Sequence, residues 1–160
     1  FMWDLLALAL CEIRIKNKAT RALRDQVLTI QDNPDRAEEL RAELISDKER
    51  NNCAKCDSRH FCNFFLACIY HELNDTVNMQ IHIKAAIKDF YRIGSRWNEI
   101  FARWIYGKLL LQIEDFLSAR REFELAIETL EERAKKYRKE DKYEQRDKCY
   151  SFINQIRSLF

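Results

Sequence analysis

Ligand chemistry in this sequence concentrates in one stretch, Cys53-Ala-Lys-Cys56-Asp-Ser-Arg-His60-Phe-Cys62. Thiolates and an imidazole suit tetrahedral zinc, and a two-residue gap lets Cys53 and Cys56 clasp one ion from a loop. Cys53, Cys56, His60 and Cys62 therefore form a candidate structural Cys3His site that would hold a polar insertion at a helix start. Against it, the stretch lacks two separated ligand pairs, and His60 and Cys62 stand too close together for a standard second clasp. A disulfide or redox switch is a second reading, and free thiols on a loop and a helix face are a third. Cys11, Cys68 and Cys149 fall within helical apolar stripes, where small buried thiols are ordinary.

Catalysis is not expected. His71 and His82 read as surface or core histidines, because no Ser or Cys with a third orienting group is recognisable around them. The acids Glu72 and Asp75, and Glu114 and Asp115, sit where helix ends call for capping and solvation. Two glycines, Gly94 and Gly107, cannot make a glycine-rich phosphate loop.

The basic run Arg133, Lys135, Lys136, Arg138, Lys139, Lys142, Arg146 and Lys148, interleaved with Tyr137 and Tyr143, could contact phosphates by counterion release. Glu140, Asp141, Glu144 and Asp147 dilute it and suggest i,i+4 pairs on a solvated helix. With 28 basic against 26 acidic side chains, the net charge of +2 supplies no strong field toward nucleic acid or anionic membrane. No segment approaches the roughly 20 apolar residues of a membrane span. The longest apolar run, Leu5 to Cys11, lacks a preceding basic stretch and a small-residue cleavage site. A soluble cytoplasmic protein is expected. The opening Phe1-Met2-Trp3 is compatible with an excerpt or processed piece of a longer protein.

Helices must position all of these groups. Apolar residues recur at helical spacing, as in Phe61, Phe64, Phe65, Cys68, Ile69 and in Phe116, Ala119, Phe123, Ala126, Ile127, Leu130. The spacing predicts helices at about 3–16, 18–32, 35–50, 60–73, 77–93, 96–113, 116–139 and 142–159. Asn33-Pro34-Asp35 reads as an N-cap, a first-turn proline and a dipole-matching acid. Gly94-Ser95 closes one helix and caps the next. A shift of 40 residues pairs Phe61 with Phe101, Phe64 with Trp104, Ala67 with Gly107, Tyr70 with Leu110 and Asp75 with Asp115. Without a gap it goes on to pair Met79 with Ala119, Ile83 with Phe123, Ala86 with Ala126, Ile87 with Ile127 and Phe90 with Leu130. Two similar helix pairs in tandem are the simplest explanation.

The stretch from Gly107 through Leu110, Phe116, Ala119 and Phe123 to Ala126 resembles one tetratricopeptide unit, in which a small residue lets two helices approach. Trp3, Leu6, Ala7, Leu10, Ala19 and Leu23 follow the same spacing, with Pro34 near the family's terminal proline. The middle pair departs from the pattern with Met79, the period is 40 residues, and 35–59 is inserted. The resemblance implies an all-α, right-handed superhelix of stacked antiparallel helix pairs with seven or eight helices. It would be a single domain over 1–160: a first pair at 1–33, an inserted helix and Cys-containing loop at 34–59, a second pair at 60–94, a third at 95–139 and a capping helix at 140–160.

In that family the first helix of each pair lines a concave face. The resemblance thus places Phe61, Phe64, Cys68, His71, Phe101, Trp104, Lys108 and Leu111 in a groove suited to a partner helix or apolar segment. The alternative is that the inserted helix, with Ala37, Leu40, Leu44 and Ile45 on one side, covers those rings within the same domain. The function expected is a non-catalytic adaptor or regulatory module that binds a partner protein. Two other readings are a zinc-stabilised transcription regulator, which sequesters a sigma-like factor or touches nucleic acid through the basic C-terminal helix, and the sensor part of a multidomain signalling enzyme.

Overall fold

The computed structural model describes residues 2–49 and 59–160. Among the described residues there are eight helices and no strand: α1 (Met2–Glu12), α2 (Lys18–Thr29), α3 (Pro34–Glu49), α4 (Arg59–Glu72), α5 (Thr76–Arg92), α6 (Arg96–Gln112), α7 (Phe116–Lys139) and α8 (Tyr143–Arg157). The all-α expectation holds, and none of these helices is long and apolar enough to cross a membrane. The chain divides into two compact units, Phe1–Asn98 and Glu99–Phe160.

In the first unit α4 is central, with α1, α2, α3 and α5 all packed against it. Its sequence explains why: every residue from Cys62 to Tyr70 is buried, and a helix that is apolar on all sides must be covered on all sides. Asn63 is the one strongly polar residue in that run, and its contacts are described below. By contrast α5 is two-faced, burying Met79, Ile83, Ala86, Ile87 and Phe90 while Val77, Ile81, Lys84 and Lys88 face solvent.

In the second unit, α7 buries Ala119, Phe123, Ala126, Ile127, Leu130 and Ala134, and packs along α8 through Cys149, Ile153 and Ile156. Gly107 on α6 lets Phe123 come close: a Cβ at 107 would lie 2.5 Å from Phe123 Cε1.

The turns carry the repetition. Asn74, Gly94, Glu114 and Asp141 all have positive φ, between 58° and 74°. After each, the next amide bonds back five residues: Asp75 to Tyr70 O (2.9 Å), Ser95 to Phe90 O (2.9 Å), Asp115 to Leu110 O (2.9 Å) and Lys142 to Tyr137 O (2.8 Å). This six-to-one bond, with the shorter one inside it, satisfies carbonyls that a helix end leaves orphaned. Asp75 then caps α5 by accepting from Asn78 N (3.1 Å), and Asp115 caps α7 by accepting from Ser118 N (3.2 Å). The hydrogen bonds to Asn78 hold the Asp75 carboxyl below its ordinary range. Lys142 occupies the same position before α8 and makes no side-chain cap.

The widest departure from the expected boundaries is at the end of α1, followed by that of α2, which stops at Thr29 rather than near residue 32. The first helix ends at Glu12 rather than near residue 16, because Asn98 seizes the backbone beyond it. Arg14 N donates to Asn98 Oδ1 (2.8 Å), and Asn98 Nδ2 donates to Arg14 O (3.2 Å). Trp97 Nε1 donates to Glu12 O (3.2 Å), and the Arg14 guanidinium lies 5.0 Å from the Trp97 ring.

Candidate interaction surface

Four of the eight residues expected to line an open groove are packed inside. Phe64 and Cys68 have no exposed surface, and Phe101 and Trp104 are each 3% exposed. The cause differs between the units. In the first, α4 is enclosed by α1, α2, α3 and α5, with Phe64 lying 6.2 Å from Phe90 of α5 between ring centroids. In the second, Phe152 of α8 sits edge-on against Phe101 (5.3 Å between centroids) and Trp104 (5.4 Å). Burial also pushes the Cys68 thiol far up its scale, which leaves it inert.

The other four are half-buried. Phe61 stacks on Phe65 (6.1 Å) and meets Phe90 edge-on (5.5 Å). His71 stacks on Trp3 (6.4 Å), and burial lowers its pKa. Lys108 and Leu111 lie toward the end of α6, each partly open to solvent.

Of the proposed metal ligands, Cys53 and Cys56 lie outside the described residues. His60 is half-buried with an unpartnered Nδ1, and Cys62 is buried on α4. Among the described residues no group of three or more His, Cys, Asp or Glu side chains is placed to hold a metal. Cys149 is buried as expected, but Cys11 is exposed, because the inward face of α1 runs through Trp3, Leu6, Ala9 and Leu10. Ala19 is likewise outside, with Thr20 buried in its stead.

Two polar constellations were not singled out by spacing. In the first unit, Asn63 Oδ1 accepts from Lys48 Nζ (2.9 Å) and from His82 Nδ1 (3.1 Å), while Asn63 Nδ2 donates to Asp89 Oδ2 (2.8 Å). Because Oδ1 can only accept, His82 must carry its proton on Nδ1. Its ring stacks on Tyr70 (5.2 Å), and burial, reinforced by the Lys48 charge, lowers its pKa. The network links α3, α4 and α5. In the second unit, Arg103 bonds Glu99 (3.0 Å) one turn back and Glu122 of α7 (2.8 Å), with Glu99 nearly buried. The available signals were an Asn inside an apolar run, and a Glu and an Arg four residues apart on an otherwise apolar helix.

The basic C-terminal stretch is laced with acids. Lys142 meets Glu140 (3.2 Å), Arg146 meets Asp147 (2.9 Å) and Lys148 meets Glu144 at the i,i+4 spacing (3.8 Å).

Large apolar side chains do reach solvent elsewhere. At the α6–α7 turn Ile113 is 46% exposed, Phe116 63% and Leu117 83%. All three lie within five residues, around the left-handed Glu114.

No family model matches this sequence, no curated protein matches it, and no solved structure matches the fold.

Proposed function

We propose that the chain is a non-catalytic interaction module of tetratricopeptide-like helical hairpins, which binds an apolar segment or helix of a partner protein. The exposed cluster Ile113, Phe116 and Leu117 carries this reading. Three large apolar side chains exposed within five residues favour a partner that removes them from water, at about 25 cal/mol per Å² covered. The partner-facing surface proposed is therefore this hairpin tip, because Phe64 and Trp104 are already covered by the chain itself.

The test uses the intact chain as bait in cell extract, beside two double variants. Phe116→Ser with Leu117→Ser is expected to keep its helicity and unfolding midpoint and to lose partner capture. Phe64→Ala with Trp104→Ala is expected to lose the fold, at roughly 3–5 kcal/mol for each deleted ring. Unchanged capture by the Phe116, Leu117 variant would refute the assignment.

A further inference from the structure

The outer faces of α5 and α7 are complementary in charge at matching positions. On α5, Val77 (71% exposed), Ile81, Lys84 and Lys88 form one solvent-facing row. The 40-residue shift places Leu117, Arg121, Glu124 and Glu128 in the equivalent row of α7, also exposed. Each row starts with an aliphatic residue, but where α5 carries two lysines α7 carries two glutamates. Arg92 of α5 and Glu132 of α7 continue the opposition one turn further on.

We infer that the basic face of α5 docks on the acidic face of α7 in a second copy of this chain, with the two helices running in the same direction. In that register Val77 meets Leu117, Lys84 meets Glu124 and Lys88 meets Glu128. The long stem of Arg121 lies over Ile81 with its charge directed to solvent. The opposite direction would set Val77 against Glu128 and Lys84 against Arg121, so charge and apolarity together select one orientation.

Glu124 and Glu128 also border an open groove of about 480 Å³, lined by Ile127 and Phe160 together with Arg120, Glu131 and Arg157. Glu124 already meets Arg120 at 3.1 Å, an exposed pair that docking must share or exchange. Because one copy offers α5 and the next offers α7, the contact is head-to-tail and leaves a free face of each kind. A single pair of helices covers less than the roughly 1,200 Å² of a stable interface, so the association is reversible and concentration-dependent.

This inference does not rest on the partner proposed above, since the purified chain alone tests it. Sedimentation velocity under reducing conditions is expected to show an average mass that rises with protein concentration and falls as salt is added. Lys84→Glu with Lys88→Glu makes both faces acidic, and Glu124→Lys with Glu128→Lys makes both basic. Each variant is expected to weaken self-association by roughly tenfold or more with an unchanged thermal unfolding midpoint, and an equimolar mixture of the two is expected to regain it. A chain that is monomeric at every concentration overturns the inference. So does association that survives either reversal, or a mixture that stays dispersed.

Discussion

Gly107 and Phe123 should behave as one unit under mutation. A Cβ at 107 would stand 2.5 Å from Phe123 Cε1 and 2.8 Å from its Cδ1 and Cζ, against the roughly 3.5–4.0 Å of ordinary carbon contact. The ring would have to retreat by about 1 Å. It has no exposed surface and stacks nearly parallel on Phe160 at 5.9 Å, so retreat is obstructed. Overpacking costs about 1–3 kcal/mol, whereas alanine gains about 1 kcal/mol over glycine in a helix. Gly107→Ala alone is therefore expected to be neutral to about 2 kcal/mol destabilising. The equivalent positions in the other hairpin, Ala67 and Ile83, are both buried and suggest the compensation. Phe123→Ile alone leaves a cavity and costs about 1–3 kcal/mol. In that background the clash is gone, and Gly107→Ala should become stabilising by about 1 kcal/mol. Urea denaturation of the four proteins closes the cycle. A Gly107→Ala effect that is the same in both backgrounds to within about 0.5 kcal/mol would refute the size exchange.

The turns and the histidines give two more tests. Glu114→Gly relieves a left-handed glutamate and should raise stability by up to about 1 kcal/mol, while Lys142→Asp supplies the cap that α8 lacks, for about another 1 kcal/mol; thermal unfolding of each variant measures both. His71 and His82 are held neutral by burial, so the unfolded chain takes up their protons at a higher pH than the folded one. Stability should therefore be level above about pH 6.5, fall as pH drops through and below that value, and fall less in a His71→Asn, His82→Gln variant, as followed by urea midpoints between pH 7.5 and 5.

Periodicity located every helix, since α2 to α8 start within one residue of where the apolar spacing put them. The equivalence of Asp75 and Asp115 was visible from the shift alone and is matched by the same capping bond. The end of α1 was not legible, because it is set by Asn98, 84 residues away, and local spacing carries no record of such a contact. Nor was the left-handed turn at Glu114, as glutamate has no preference for that conformation. The burial of Phe64 and Cys68 had a signal that was open to a different reading: α4 has no polar side from Cys62 to Tyr70, and such a helix is enclosed rather than lining a trough. For Phe101 and Trp104 the covering residue, Phe152, lies on a helix whose docking no pattern within α6 could announce.

The Asn98 amide closes a loop that holds nearly the whole of the first unit between its ends. A contact of that sequence separation has little chance to form until the helices between have come together, which places it late in folding. The same geometry makes one proton a gauge. The Arg14 amide hydrogen, sealed against Asn98 Oδ1 just past a helix terminus, can exchange with deuterium only when the clasp opens. Its protection therefore reads out, at a single backbone position, how long the two distant ends of the unit stay joined.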